Sequence, residues 1–525
     1  MRKGFPIFCA LSRHAGFSAG FSRPTKKGSA IDPALKRRAF RGPSGGRVSA
    51  RWPEIPVAIS ETTRVNGGKL LYNFRLKLFS SAISFRFNLM AHIEPFRALR
   101  YDPKRVSIQQ VVTQPYDKIT PEMREGYYAA SPYNLVRVIL GKQNPGDHPG
   151  DNTYTRASQF FRDWRKEGIF LQDAEPSLYL YIQRFTVPGK TTVMERRGII
   201  ALGRIEDYSA EVVFRHEQTL AKPKADRLDL LRATRAHFGQ LFMLYSDPGG
   251  EIEGLLVPQG DPDLDTQDEY GVSHRLWRIA DARVIEAVRE KMHDKNLVIA
   301  DGHHRYETAL NYRNEQRKEK GGSRPDGSHA PHDLVMMTLV NMDSPGLLIL
   351  PTHRVVHGLE SFSAASFREK ASTYFSVEEV DVSVDAARAS VILREAGRIG
   401  TALLAVAADR VFLLDRARAV PVELFAGLSL RQQSLDVVQL HKCLLEGVLG
   451  ISEEAIRDQK NVRYIRDIGE SMALVRSGAA DVAFLMNPAR MSQVRDIAFA
   501  GEVLPQKSTD FYPKLLTGLT IYPLD

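Results

Sequence analysis

Val298-Ile299-Ala300-Asp301-Gly302-His303-His304-Arg305-Tyr306-Glu307 is the stretch on which the fold turns. The apolar run Leu297 to Ala300 has the length of a short buried strand. Asp301-Gly302 interrupts it, and a helix is predicted from about His303 through Arg313. Two histidines and an arginine then occupy the first helical turn, where unpaired backbone N–H groups and the positive end of the dipole favour an anion. Strand, tight glycine turn and basic first turn together make a phosphate cradle, with Gly302, His303, His304 and Arg305 as candidate contacts. The plainer alternative is that Asp301 only caps the helix and the histidines are surface residues.

With 525 residues the chain is long enough for two to four domains. Its 43% hydrophobic and 26% charged content are those of a globular protein, and no run of about 18 apolar residues predicts a membrane span. Two cysteines, Cys9 and Cys443, make neither a disulfide framework nor a cysteine zinc site, so a reducing, cytoplasmic setting fits.

The net charge of +10 is unevenly placed. Residues 1–89 hold 17 Lys and Arg against Asp32, Glu54 and Glu61, leaving 55 of the 72 basic and 59 of the 62 acidic residues for 90–525. A slightly acidic body argues against a nucleic-acid binder, whose affinity comes from clustered Lys and Arg. The leader is rich in Arg and Ser and without periodicity. It reads as translated sequence upstream of the true start, a targeting peptide or a basic arm, and the first is favoured because Met90-Ala91-His92-Ile93-Glu94-Pro95-Phe96 looks like an ordinary N-terminus.

Strands are predicted over Val106–Val112, Leu135–Leu140, 178–182, 197–202, 242–245, 334–342, 347–350, 401–407, 411–414 and 479–486. Helices are predicted over 121–130, 153–168, 225–234, 281–293, 363–374, 386–396, 436–448 and 490–498. Asn314 to His332, charged and aperiodic, reads as an exposed linker. The fold class is α/β to α+β, with mixed sheets in two domains, 90–320 and 333–525, behind the 1–89 leader.

Two further polar clusters stand out. Phe214-Arg215-His216-Glu217-Gln218-Thr219 leads into a helix carrying Lys222, Lys224, Asp226 and Arg227, either a salt-bridged helix entry or a second set of substrate contacts. Leu504-Pro505-Gln506-Lys507-Ser508-Thr509-Asp510-Phe511-Tyr512-Pro513-Lys514 is a loop rich in donors, able to close over an anion or to serve as a polar turn.

From Met90 on, the chain resembles a large bacterial and archaeal family long labelled a domain of unknown function. The resemblance lies in Ala300 to Tyr306, Ile93 to Tyr101, Pro115-Tyr116-Asp117, Ser131-Pro132-Tyr133-Asn134, His216 to Thr219, Pro505 to Thr509 and Phe511 to Lys514, with Leu504 standing where a methionine is expected. The Asp-Gly-His-His-Arg string is also similar to the phosphate-site signature of the ParB/sulfiredoxin-like superfamily, which includes free serine kinases. That resemblance implies a small-molecule kinase, with L-serine as first acceptor and ATP, ADP or pyrophosphate as donor. No Walker loop ending in Lys-Ser/Thr is present.

On this reading His303, His304 and Arg305 hold donor phosphates, with Lys507, Ser508 and Thr509 closing over them. Asp301 binds Mg²⁺ or acts as general base, Glu217 is the second carboxylate for that work, and His216, Arg227 and Tyr116 contact substrate. No nucleic-acid or membrane partner is expected, and the sequence does not set an oligomeric state. Two rivals use the same residues: a metal-dependent phosphatase or nuclease with Asp301, His303, His304 and Glu307 as ligands, and a non-catalytic nucleotide-binding switch.

Overall fold

The strand expected at the centre is Leu297–Asp301, and its side chains alternate between two cores. Leu297 and Ile299 pack with Tyr306 and Ala309 of the following helix, His303–Lys320. Val298 and Ala300 face the other way, into a core shared with Phe511, Leu516 and Leu519. Burial on both faces explains the continuous apolar run, and each fully buried aliphatic side chain here contributes about 1.5–3 kcal/mol. Asp301 emerges at the strand end, where a register shift between Ile299 and Asp301 re-aims it.

The computed structural model describes residues 91–217, 221–320, 328–418 and 422–525. The 1–89 leader, Gln218, Thr219 and the 321–327 part of the expected linker lie outside the described residues. Two sheets organise the rest. In the first, of nine strands, the order is Val213–Phe214, Leu297–Asp301, Leu241–Tyr245, Leu334–Asn341, Val193–Arg204, Leu178–Thr186, Ser273–Ile279 and Leu264–Gln267, with Ile93–Glu94 also paired on Val193–Arg204. Leu297–Asp301 is parallel to Val213–Phe214, and Leu334–Asn341 to Leu241–Tyr245; the other pairings are antiparallel, so the sheet is mixed.

The second sheet, of six antiparallel strands, runs Ser376–Val380, Val411–Asp415, Ala402–Val406, Val482–Met486, His353–Val356, Val462–Ile465. The mixed α/β fold class expected from sequence is present. The last strand of the first sheet, Leu334–Asn341, lies past the 314–332 stretch, so the change from one sheet to the other falls between Asn341 and His353. One apolar core runs from Tyr179, Phe242 and Val298 through Phe511 to Phe412 and Phe484 of the second sheet.

The chain end ties this together. After the second sheet, Asp510–Tyr512 pairs with Leu348–Leu350, Thr517 bridges Thr113, Ile521 bridges Leu99, and Tyr522–Pro523 pairs with Ala236–His237. These pairings lie outside the first sheet, which meets the returning segment through side chains: Gln183 donates to the Lys514 carbonyl, Arg196 to the Tyr512 carbonyl, and the Leu516 N–H to the Tyr181 hydroxyl.

Three local expectations are corrected. Val106–Val112 and Leu135–Leu140, read as strands, contain the short helices Ile108–Val111 and Val136–Ile139. Before the second, Asn134 Oδ1 accepts from the Val136 N–H at 2.9 Å, a local turn that leads the chain into the helix despite its β-branched run. The helix after Gly302 runs on to Lys320 rather than ending near Arg313, and its charged end is a solvated face in which Arg317 pairs with Asp333 at 2.7 Å. Cys443 is buried, and burial pushes its thiol up to about 12.

Candidate functional site

The turn that carries the motif is built around the Arg305 side chain. Gly302 adopts φ 98°, and a Cβ there would stand 3.0 Å from Arg305 Nη2 and 3.0 Å from Leu241 Cδ2. Glycine is needed both for the backbone conformation and for the close approach. Arg305 Nη2 donates to Asp301 Oδ2 at 2.9 Å, and Nη1 donates to the Gln240 carbonyl. Two of the fork's donors are thus held inside the protein. Its free edge lines a small cavity with Tyr116, Arg227 and Thr308, in which the Arg227 guanidinium lies 4.2 Å above the Tyr116 ring. Arg227 is itself tied to Asp226 and the Ile139 carbonyl, and burial pushes the Tyr116 phenol up to about 12.

The other oxygen of Asp301 faces a lysine from the far end of the chain. Lys514 Nζ sits 3.6 Å from Asp301 Oδ1 and 3.0 Å from Asp510 Oδ1, and Asp510 is also bound by Arg466 at 2.9 Å. Lys514 and Asp510 are 8% and 4% exposed, so their charges are neutralised locally rather than by water. Burial acts to raise the Asp301 carboxyl, but the charges of Lys514, Arg305 and Lys118 outweigh it and hold the group well below the carboxylate range. Burial likewise acts to lower Lys514, and Asp301 and Asp510 outweigh it and raise the ammonium.

The Pro505–Thr509 loop lies on the His216–Glu217 segment. The Leu504 N–H donates to the His216 carbonyl at 2.8 Å, Thr509 Oγ1 and His216 Nε2 are 2.8 Å apart, and the Lys507 N–H donates to Glu217 Oε1 at 3.3 Å. Ser508 turns inward and donates to the Pro505 carbonyl. Lys507 has φ 57°, an uncommon backbone for a lysine and one that such a loop must hold against its own strain.

His303 meets the same cluster. Its Nε2 accepts from the His216 N–H at 3.4 Å, and the two rings are 4.7 Å apart. Burial brings His303 down to about 4 and His216 to about 3, so these two imidazoles are neutral at pH 7, and burial also lowers half-buried His304. The two can offer one N–H each but no positive charge. Glu307 is held by Lys224 at 2.8 Å and Arg215 at 3.6 Å. Asp301, His303, His304 and Glu307 do not converge as metal ligands; among the described residues one group of three His, Cys, Asp or Glu does, and it lies elsewhere.

The sequence reading misses several residues that shape this region. Lys118, Arg463 and Arg466, together with Lys507 and Thr509 that the sequence already singles out, line a cavity of about 460 Å³ with Asp510 and His357, where the end of the second sheet meets the loop. Two fully buried arginines hold the loop's backbone. Arg354 donates to the Gln506 carbonyl at 3.1 Å and to His441 Nε2 at 3.3 Å, with Tyr464 below its guanidinium. Arg196 donates to Gln183 Oε1 and to the Tyr512 and Pro513 carbonyls, stacked 4.6 Å over Phe242. Lys514 stood inside the loop string as a possible signal; Arg196 and Arg354 lie in strands with nothing local to mark them.

A family model described as "Protein of unknown function (DUF1015)" matches residues 93–438. The chain belongs to that family. Among solved structures it is similar to a conserved hypothetical protein from Pyrococcus furiosus (12% identity, 59% of this chain and 92% of that one, TM-score 0.29). It is similar as well to a free serine kinase in complex with AMP (13%, 59% and 89%, 0.30) and to C-terminally truncated SbnI from Staphylococcus aureus (11%, 62% and 87%, 0.29). Likenesses at these scores say nothing of this chain's chemistry. No curated protein matches the sequence.

Proposed function

We propose that this protein is a small-molecule kinase of the kind the Asp301–Arg305 string resembles, moving a phosphoryl group from ATP, ADP or pyrophosphate to a hydroxyl. Free L-serine is the first acceptor to test. The observation that carries the reading is the cationic cavity of about 460 Å³ lined by Lys118, Arg463, Arg466 and Lys507, adjoining the Asp510–Lys514–Asp301 ion-pair chain. Phosphoryl transfer is catalysed chiefly by positioning and by charge on the moving oxygens, and these side chains supply it.

In this reading Lys118, Lys507, Arg463 and Arg466 hold the donor phosphates, and Thr509, neutral His303, and His304 add N–H or O–H donors. Asp301, strongly acidic and matched to two cations, is a weak base; it orients Arg305 and Lys514. Glu217 takes the proton of the acceptor hydroxyl as its oxygen bonds to the terminal phosphorus and the bridging O–P bond of the donor breaks. The shortened donor leaves as an anion on the lysines. His216 and Ser508 brace the loop, and Tyr116 and Arg227 line the smaller cavity beside Arg305.

A resident Mg²⁺ on Asp301 does not fit these residues. The ion takes oxygen ligands at about 2.0–2.1 Å, while both Asp301 oxygens face cations. Mg²⁺ would instead enter with a nucleotide donor, as part of the substrate. Calorimetric titration with pyrophosphate and with ADP tests the cavity: Lys507→Ala and Lys118→Ala should each weaken binding about tenfold, the loss of one charge-assisted contact. Unchanged affinity in both variants would contradict the assignment.

A further inference from the structure

At the opposite kind of site, away from the lysines, two imidazoles converge on one carboxylate oxygen. His92 Nε2 lies 2.9 Å and His329 Nδ1 2.7 Å from the same Glu94 Oε1, and the rings are 4.8 Å apart. All three candidate ligand atoms lie within 4.8 Å of one another. We propose that His92, Glu94 and His329 bind a divalent transition ion of the zinc class, with water completing the coordination, and that the ion staples the start of the first sheet to the segment entering strand Leu334–Asn341.

Size and chemistry both fit. Zinc bonds to nitrogen and carboxylate oxygen at about 2.0–2.2 Å, so the edges of a tetrahedral site are about 3.4 Å. The two observed N–O separations, 2.9 and 2.7 Å, need to open by about 0.5 and 0.7 Å, which side-chain rotations provide. Two imidazoles and one carboxylate select zinc, cobalt or iron over magnesium and calcium, which take oxygen ligands. The three side chains are 22–30% exposed, so an ion and a water can reach them.

The backbone beneath is fixed from both sides. Glu94 pairs with Leu202, and the Arg204 N–H donates to the His92 carbonyl at 2.9 Å. Past His329, the Ala330 N–H donates to Asp333 Oδ2 at 3.1 Å, and the Asp333 carbonyl accepts from the Ile205 N–H at 2.9 Å. Both ligand-bearing segments are thus anchored on one strand, Val193–Arg204, and its continuation. Such a preset frame lowers the cost of ordering the ligands.

Cobalt titration of the full chain tests this, read by the visible absorption of four-coordinate Co²⁺ and by thermal melting. One equivalent should bind and Zn²⁺ should displace it while Mg²⁺ does not. Zn²⁺ should raise Tm by several degrees, reversibly with a chelator. His329→Ala and the volume-keeping Glu94→Gln should each lose at least tenfold in affinity and lose the Tm rise, with metal-free melting close to that of the wild type. No cobalt band in the wild type, equal binding by the variants, or displacement by Mg²⁺ would overturn the site. None of these outcomes depends on whether the protein transfers phosphate.

Discussion

Lys514 Nζ, near the end of the chain, stands 3.6 Å from Asp301 Oδ1, at the end of the strand Leu297–Asp301. A single buried ammonium thereby joins the motif turn to the C-terminal loop, because it also holds Asp510 at 3.0 Å. Lys514→Met should deprive buried Asp510 and half-buried Asp301 of that partner, at a cost of about 3–5 kcal/mol in denaturant unfolding. The sign with pH follows from the depressed Asp301. Its contribution is present above the unfolded-state value of about 3.9 and is lost as pH falls below it. The gap between wild type and Lys514→Met should therefore narrow below about pH 4; a gap that is constant from pH 7 to 3 would remove the ion pair from the account.

The buried histidines act at milder acidity. His303 is held at about 4 and His216 at about 3, below an unfolded-state value near 6.5, so the unfolded chain takes up protons first. Stability should fall as pH drops from 6.5 toward 4, by up to about 1.4 kcal/mol per pH unit for each such histidine. His303→Gln should shallow that slope by one histidine's share, measured as urea unfolding at stepped pH.

Gly302→Ala should destabilise by about 1–3 kcal/mol, since alanine at a positive φ is strained and its methyl would press on Arg305. Donor affinity should fall with it, because Arg305 can no longer hold Asp301 in place. A variant with wild-type melting and wild-type binding would show that the turn has room to spare.

Arg196 makes three acceptors dependent on one guanidinium, the Gln183 side chain and the carbonyls of Tyr512 and Pro513. Arg196→Met should orphan all three at about 1–3 kcal/mol each before relaxation, and proteolysis should cut the 505–514 segment faster. Arg196→Lys should recover only part of this, because an ammonium lacks the planar fork.

What was legible in the sequence is the motif turn itself. The apolar run, the Asp-Gly break and the basic first turn read correctly because each is a local signal, and the mixed α/β class followed from the same patterning. Leu135–Leu140 misled because a short β-branched run carries the same apolar signal in a strand or a buried helix, and Asn134 decided it by one hydrogen bond. The protonation of the site was not legible, for a different reason. Protonation of His303 depends on burial under a loop more than 200 residues away, and no local pattern records that. Arg196 and Arg354 are invisible for the same cause, since their partners are carbonyls of a segment that returns from the chain's end.

The most direct test of the central claim is phosphorus NMR of the full chain incubated with L-serine and, separately, ATP with Mg²⁺, ADP with Mg²⁺, or pyrophosphate. The account predicts an O-phosphoserine signal with at least one donor, reduced strongly in Lys507→Ala and abolished in Glu217→Gln. Donor that binds but is never transferred, or that is only hydrolysed to phosphate, would contradict it.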